Sequence, residues 1–235
     1  MRKIYPSALT AIILLSLVTA IPLSASASDS PVQLTVLEWY NSEIETPKNE
    51  FVVQFQALDD SLQNPYYELL GYRWFSTASY WINPVNKYGL TQSAVVTAVT
   101  ESANVWDSQT SSSVFSYSGI TAARAGKRDG RNVVAFGSYR KGVIAVTYLW
   151  SRGGSLYETD VIVNQYYSWS TSGEAGKMDL KNIMTHEFGH WCGLDDLYAE
   201  KDYWLTMYGY SDYAETYKQT LGLGDINGLI AVYGP

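Results

Sequence analysis

The stretch THEFGHWCGLDD, residues 185–196, contains both histidines of the chain, His186 and His190, four residues apart. On a helix, residues four apart differ by about 40° around the axis, so the two imidazole rings project side by side. Their ring nitrogens can then converge on one metal ion. The stretch therefore predicts a helix with two metal ligands on one face, and a third ligand has to be a residue other than histidine.

Glu187 lies on the apolar side of this helix. At about 100° per residue, five apolar side chains cover the arc that contains it: Leu180, Ile183, Met184, Phe188 and Trp191. A carboxylate there costs free energy unless its charge is used. A general base beside a metal-activated water uses it, and H-E-x-x-H is the pattern of such zinc sites. The alternative is a chance pair of histidines with an ordinary surface glutamate.

The third ligand is expected just after the helix. Gly193 can adopt a left-handed conformation, which lets the chain turn back sharply beneath the metal. The oxygen donors within reach are Asp195 and Asp196. We predict Asp196 as the ligand and Asp195 as a group that orients the site or accepts from a nearby backbone amide. The alternative, two solvated loop aspartates, leaves the metal with two protein ligands.

These residues resemble the extended motif of the metzincin metallopeptidases, H-E-x-x-H-x-x-G-x-x-H, in which some members end on aspartate. His186, Glu187, His190, Gly193 and Asp196 fill it. The aspartate ending is similar to the snapalysin-type variant, whereas the tail DINGLIAVYGP and the strand-like runs NVVAFG, GVIAVTYLW and ETDVIVN resemble the matrixins. The resemblance covers about residues 66–235. It implies a Zn²⁺-dependent endopeptidase that acts on polypeptides.

The resemblance also implies a methionine turn under the zinc, for which LTMYGY offers Met207; alone, a methionine is more often core filler. It further implies a substrate-binding sheet edge at residues 143–148, on which a peptide lies antiparallel. Its alternative is an ordinary edge strand. The segment after Met207 would form the wall of the pocket for the side chain that follows the cleaved bond. The implied substrate-binding residues are Val143, Ala145, Thr147, Tyr208 and Tyr210.

Two features depart from the matrixin pattern. Matrixins often stay latent through a prosegment cysteine on the zinc, but the only cysteine here, Cys192, lies inside the motif and is predicted to be a small buried hydrophobe. No histidine is left for a structural zinc. Structural Ca²⁺ is left open, with groups such as Asp129, Glu158 or Asp160 as candidate ligands.

The first 27 residues are predicted to be a secretory signal. A basic head, Met1-Arg2-Lys3, precedes an apolar run and small residues at 25–27. The alternative, an uncleaved membrane anchor, is weakened by polar residues and a proline in a short run. Residues 28–65 show no sustained periodicity and are interpreted as a prosegment or N-terminal extension, with the catalytic domain at 66–235. We expect a secreted protein of the extracellular space or cell envelope.

Periodicity predicts an α/β (α+β) fold: a twisted mixed sheet with an active-site helix and a C-terminal helix. A first helix is expected at residues 91–107 with Thr91 as its N-cap, after an aromatic-rich strand that ends at Asn83. Asp179 is predicted to cap the motif helix, and Asp225 the last helix.

Composition limits the partners. A net charge of −7 and a pI of about 4.8 disfavour nucleic acid and anionic lipid, and a monomer is expected. The 20 tyrosines and 8 tryptophans leave a second function open, a non-catalytic cell-envelope binding module with a structural metal. Glu187 favours the enzyme, because a structural zinc site needs no base. A small-peptide exopeptidase is a third alternative.

Overall fold

The computed structural model describes residues 31–42 and 63–235, so the predicted signal at 1–27 lies outside the described residues. The strands are β1 Gln33–Asn41, β2 Ala78–Asn83, β3 Phe115–Ile120, β4 Asn132–Gly137, β5 Val143–Arg152, β6 Ser155–Asn164, β7 Trp169–Ser170, β8 Met178–Asp179 and β9 Tyr210–Ser211. The helices are α1 Gln92–Asp107, α2 Leu180–Trp191 and α3 Leu223–Tyr233, with 3-10 turns at Glu200–Asp202 and Tyr217–Gln219. Within these ranges no helix is both long and apolar enough to cross a membrane.

Seven strands form one mixed sheet in the order β3-β2-β4-β6-β5-β1-β9, and β7 pairs with β8 separately. Within the described sheet, β5 runs opposite to the other strands. The Val- and Ile-rich runs predicted as strands are β4, β5 and β6, and most of their side chains are buried. The predicted mixed α/β architecture is confirmed.

Helices α1 and α2 pack against each other and form the layer that carries the motif. Thr91 caps α1, as predicted, by accepting from the Ala94 backbone N–H at 3.1 Å. The Trp106 indole N–H donates to the Thr185 carbonyl at 2.7 Å, which ties α1 to α2. Asp179 caps α2 by accepting from the Asn182 N–H. The motif helix is therefore held at its start and along its side.

The C-terminal helix begins earlier than predicted. Gly222 is its N-cap, so Asp225 lies in the first turn and the prediction of Asp225 as the cap is wrong. The Asp225 carboxylate is buried and accepts backbone N–H bonds from Gly222, Thr206 and Met207 at 2.8–3.0 Å. It therefore joins the start of α3 to the Met207 segment, a role that depends on a loop distant in sequence.

Residues 33–41 form a strand that the sequence did not indicate. The sequence showed no sustained periodicity here, but this segment forms β1, which pairs antiparallel with β5 from Gln33 opposite Ser151 to Tyr40 opposite Val143. In the described fold β1 covers this side of β5, so β5 is an exposed edge only where β1 is absent, and its role in substrate binding stays a prediction. Local periodicity missed β1 because its pairing partners lie more than 100 residues away. The domain boundary near residue 65 stays a prediction.

Candidate metal centre

The two histidines of α2 are buried and oriented by backbone carbonyls. His186 Nδ1 lies 2.7 Å from the Thr206 carbonyl oxygen, and His190 Nδ1 lies 2.9 Å from that of Leu194. A carbonyl oxygen only accepts, so each Nδ1 carries the hydrogen and each Nε2 presents a lone pair. Burial also lowers the pKa of His186 to about 4, which keeps the imidazole neutral at neutral pH.

Asp196 completes a three-residue cluster. Its Oδ1 lies 3.1 Å from His186 Nε2 and 3.7 Å from His190 Nε2. All three atoms are buried without a hydrogen-bond partner, and ligand atoms of the three residues lie within 4.8 Å of one another. Three acceptors that face one another are unfavourable unless a cation lies between them. Two imidazoles and a carboxylate suit Zn²⁺ and leave a coordination position open.

The helix terminus places Asp196 beside the histidines. Gly193 has φ +92°, and a Cβ there would lie 2.4 Å from the Tyr72 carbonyl oxygen. The predicted glycine turn is therefore enforced both by conformation and by space. Asp195 Oδ1 accepts from the Asp196 backbone N–H at 2.8 Å, and the Tyr198 hydroxyl donates to Asp196 Oδ2 at 3.2 Å. The sequence did not point to Tyr198, since no motif position marks it.

Glu187 is buried on the same helix. Its Oε2 accepts from the Thr147 hydroxyl of β5 at 2.5 Å, and its Oε1 has no partner. Burial raises the pKa of Glu187 to about 7, against the opposing effects of His190 and the Thr147 hydrogen bond. One carboxylate oxygen is thus held and the other is available to a proton. The sequence named Thr147 for substrate binding but missed this hydrogen bond, because the contact crosses from strand to helix.

Met207 lies directly against the motif helix. A Cβ at Gly189 would be 2.1 Å from Met207 Sδ and 2.8 Å from Trp106 Cζ2. Gly189, between the two histidines, therefore makes room for the thioether. Met207 is fully buried, and its backbone N–H donates to Asp225 Oδ1 at 3.0 Å. This contact places the segment before β9 against the motif helix, although Gly189 itself carried no signal in the sequence.

The residues predicted to bind substrate surround β1. On β5, Val143, Ala145 and Thr147 are opposite Tyr40, Trp39 and Leu37. On the other side of β1, Tyr210 pairs in parallel with Tyr40, and the Tyr208 carbonyl accepts from the Trp39 indole N–H at 3.1 Å. The structure therefore brings the two sets to the two sides of β1, and this strand occupies the cleft that the resemblance implies for a substrate.

Two of the candidate calcium ligands, Glu158 and Asp160 on β6, accept hydrogen bonds from backbone N–H groups at residues 126–133. Glu158 accepts from the backbone N–H groups of Asp129 and Gly130 at 2.6 and 2.9 Å. Asp160 accepts three such bonds, from Gly126, Lys127 and Val133. In residues 31–42 and 63–235, the one convergent group of three metal-ligating side chains is that of His186, His190 and Asp196. Calcium binding stays a prediction.

A helix with two histidines and a glutamate, a glycine turn and an aspartate together make up the candidate metal centre. The family model described as Matrixin (Peptidase_M10) matches residues 73–234, and the chain belongs to this family. It is therefore a zinc metallopeptidase of the metzincin type. A search of curated proteins gave no significant match.

Proposed function

We propose that the chain is a secreted zinc endopeptidase that hydrolyses polypeptides, with His186, His190 and Asp196 as the metal ligands and Glu187 as the general base. One observation carries this proposal: three buried, unpartnered ligand atoms converge beside a glutamate that has one oxygen held and one free. Secretion is proposed on the signal-like composition of residues 1–27 alone.

The ligand residues and Glu187 have separate tasks. Zinc, when bound, would act as a Lewis acid that acidifies a water molecule and polarises the substrate carbonyl. Glu187 accepts the proton of that water on Oε1 and later gives it to the leaving amine. Thr147 keeps Oε2 in place, so the accepting oxygen stays oriented. Burial raises the pKa of Glu187, the direction that helps a carboxylate hold a proton before returning it to the leaving amine.

The length of the strand pairing around Thr147 supports an endopeptidase. An extended chain, β1, pairs with β5 on both sides of Thr147, whose hydroxyl bonds Glu187. The pairing extends four residues beyond Thr147 in one direction, to Ser151 opposite Gln33, and four in the other, to Val143 opposite Tyr40. A polypeptide bound in the same manner by strand addition would extend past the base in both directions. An exopeptidase would instead need a group that closes one end and binds a chain terminus.

The proposed function predicts zinc-dependent hydrolysis of an unfolded protein. The full chain, loaded with zinc, is expected to cut a reduced and alkylated protein substrate, and a chelator is expected to stop the reaction. Adding Zn²⁺ should restore the rate, while adding Mg²⁺ should not, because imidazole ligands suit zinc far better. Fragments are followed by mass spectrometry. Hydrolysis that continues at the same rate once the zinc content of the protein has fallen to the background of the buffer would contradict the proposal.

Thr147→Val is predicted to lower kcat about tenfold, because a hydrogen bond to a charged group contributes roughly 1.5–3 kcal/mol and its loss releases Glu187. Valine keeps the shape of threonine. The matched control is Thr159→Val, on β6, since the buried Thr159 hydroxyl has no hydrogen-bond partner. Steady-state kinetics and zinc content are measured for both. Equal kcat values for the two variants would show that the Thr147 hydroxyl does not position the base.

A further inference from the structure

Strand β1 lies in the cleft in the direction expected of a substrate. It is antiparallel to β5 and parallel to β9, and it lies between them in the sheet. Its end is fixed by the Asn41 backbone N–H, which donates to the Gly142 carbonyl at 2.9 Å. Antiparallel pairing with β5 is the arrangement proposed for a substrate peptide. The chain thus holds one of its own segments in that arrangement.

One side chain anchors this strand. Trp39 is fully buried, whereas Leu34 and Val36 on the same strand are 53% and 40% exposed. The indole stacks on the His186 imidazole, with ring centroids 3.8 Å apart and planes 6° apart. Its N–H donates to the Tyr208 carbonyl oxygen at 3.1 Å. Trp39 therefore fills a formed pocket that is walled by a proposed metal ligand and by the segment after Met207.

The pocket is built for an aromatic ring. Beyond the indole lies Lys218, which is fully buried, with its Nζ 5.6 Å from the centroid of the Trp39 ring. That ammonium donates to the Tyr210 carbonyl and to Glu215 Oε1 at 2.8 and 2.7 Å, which fixes its position. A flat imidazole on one side, a cation near the ring face and a carbonyl acceptor together favour tryptophan over an aliphatic side chain.

The strand register places two peptide bonds of β1 between the contacts to Glu187 and His186. Leu37 is opposite Thr147, whose hydroxyl bonds Glu187, and Trp39 stacks on His186. Two peptide bonds, Leu37–Glu38 and Glu38–Trp39, lie between these two contacts, and the second directly precedes the residue that stacks on His186. The Glu38 carboxylate is held by Tyr139, Arg140 and Tyr40. Trp39 thus takes the place of the residue that follows the cleaved bond.

We propose that the pocket beside His186 selects a large aromatic side chain, tryptophan above all, immediately after the cleaved bond, and that β1 occupies the cleft as the chain's own substrate-like inhibitor. This inference rests on the proposed function. Cleavage of Glu38–Trp39 would join the water oxygen to the Glu38 carbonyl carbon, break the C–N bond and leave the proton on the Trp39 amine. Until β1 is cut or displaced, it excludes other peptides.

A first experiment identifies the new amino termini. The zinc-loaded full chain is incubated with a reduced and alkylated protein, and all product termini are sequenced. We expect tryptophan, then tyrosine and phenylalanine, to dominate the first position, and a self-derived product that begins at Trp39. Cleavage without aromatic first residues would overturn the pocket assignment and leave the proposed function intact. No cleavage by either the full chain or its Trp39→Ala variant, in which β1 has lost its anchor, would instead count against the proposed function.

A second experiment measures binding without catalysis. The full chain carrying Glu187→Gln and Trp39→Ala, loaded with zinc, is titrated with a fluorescent peptide of residues 33–42, QLTVLEWYNS. Replacing the peptide tryptophan by alanine is expected to weaken binding about 30-fold, as for a buried anchor residue. Replacing the exposed valine, the equivalent of Val36, should leave the affinity unchanged.

The matched protein control carries Glu187→Gln and Val36→Ala, so its own Trp39 stays in place. We expect it to bind the parent peptide at least about tenfold more weakly than the Trp39→Ala chain, because the pocket is already filled. Equal affinity of the tryptophan and alanine peptides would overturn the pocket assignment, and equal binding of the parent peptide to both protein variants would overturn the assignment of β1 as the inhibitor. If Trp39→Ala does not fold, as judged by near-ultraviolet circular dichroism, the product termini of the unmodified chain decide the question.

Discussion

Replacing Glu187 by glutamine is expected to lower kcat for peptide hydrolysis about 1,000-fold, within the range that general acid–base catalysis contributes. Glutamine has the same shape and keeps an oxygen that can accept from Thr147, but it cannot take a proton at neutral pH. Glu187 is not among the proposed zinc ligands, so the zinc content of the variant should equal that of the parent chain.

The control for this variant is Glu101→Gln. Glu101 lies on the neighbouring helix α1 and forms a half-exposed ion pair with Lys181 of α2. Its removal should change neither kcat nor zinc content, since an exposed ion pair contributes about 0–1 kcal/mol. Single-turnover rates and metal content are measured for all three chains. If the Glu187→Gln chain binds zinc and its kcat is within about tenfold of the parent value, Glu187 is excluded as the base.

The motif helix and its neighbours could be predicted from the sequence because local rules determine them. Thr91 and Asp179 cap helices through bonds three residues away, and Gly193 has the positive φ expected of a helix terminus. The valine-rich runs became β4, β5 and β6 for the same reason. In each case the deciding interaction is short in sequence or is set by side-chain periodicity.

The missed features depend on contacts between distant segments. The Trp39 indole N–H donates to a carbonyl 169 residues away in sequence. The Thr147 hydroxyl donates to the Glu187 carboxylate, which is 40 residues away. Periodicity describes one element at a time, so it cannot show which strand covers β5. Asp225 was misassigned for the same reason, since its carboxylate also accepts from the Met207 segment. The resemblance located the cleft, but only the fold placed Trp39 in it.

Asp196→Ala is expected to weaken zinc binding at least about 100-fold, because loss of a supporting contact alone costs 10–100-fold and Asp196 is proposed as a direct ligand. The two imidazoles would keep their carbonyl partners, Thr206 and Leu194, and the fold should persist. Zinc affinity is measured by competition with a chromophoric chelator, and folding by near-ultraviolet circular dichroism. Hydrolysis should fall with zinc occupancy.

The adjacent aspartate supplies the matched control. Asp195→Asn keeps an oxygen that can accept from the Asp196 N–H and removes the neighbouring charge, so zinc affinity should stay close to that of the parent chain. A loss confined to Asp196→Ala would separate a direct ligand from a general electrostatic effect of two acidic residues. Equal losses in both variants would favour the electrostatic effect, and no loss in Asp196→Ala would mean that the third donor is another group. The buried, unpartnered Asp196 Oδ1 between two Nε2 lone pairs is the reason to expect the first result.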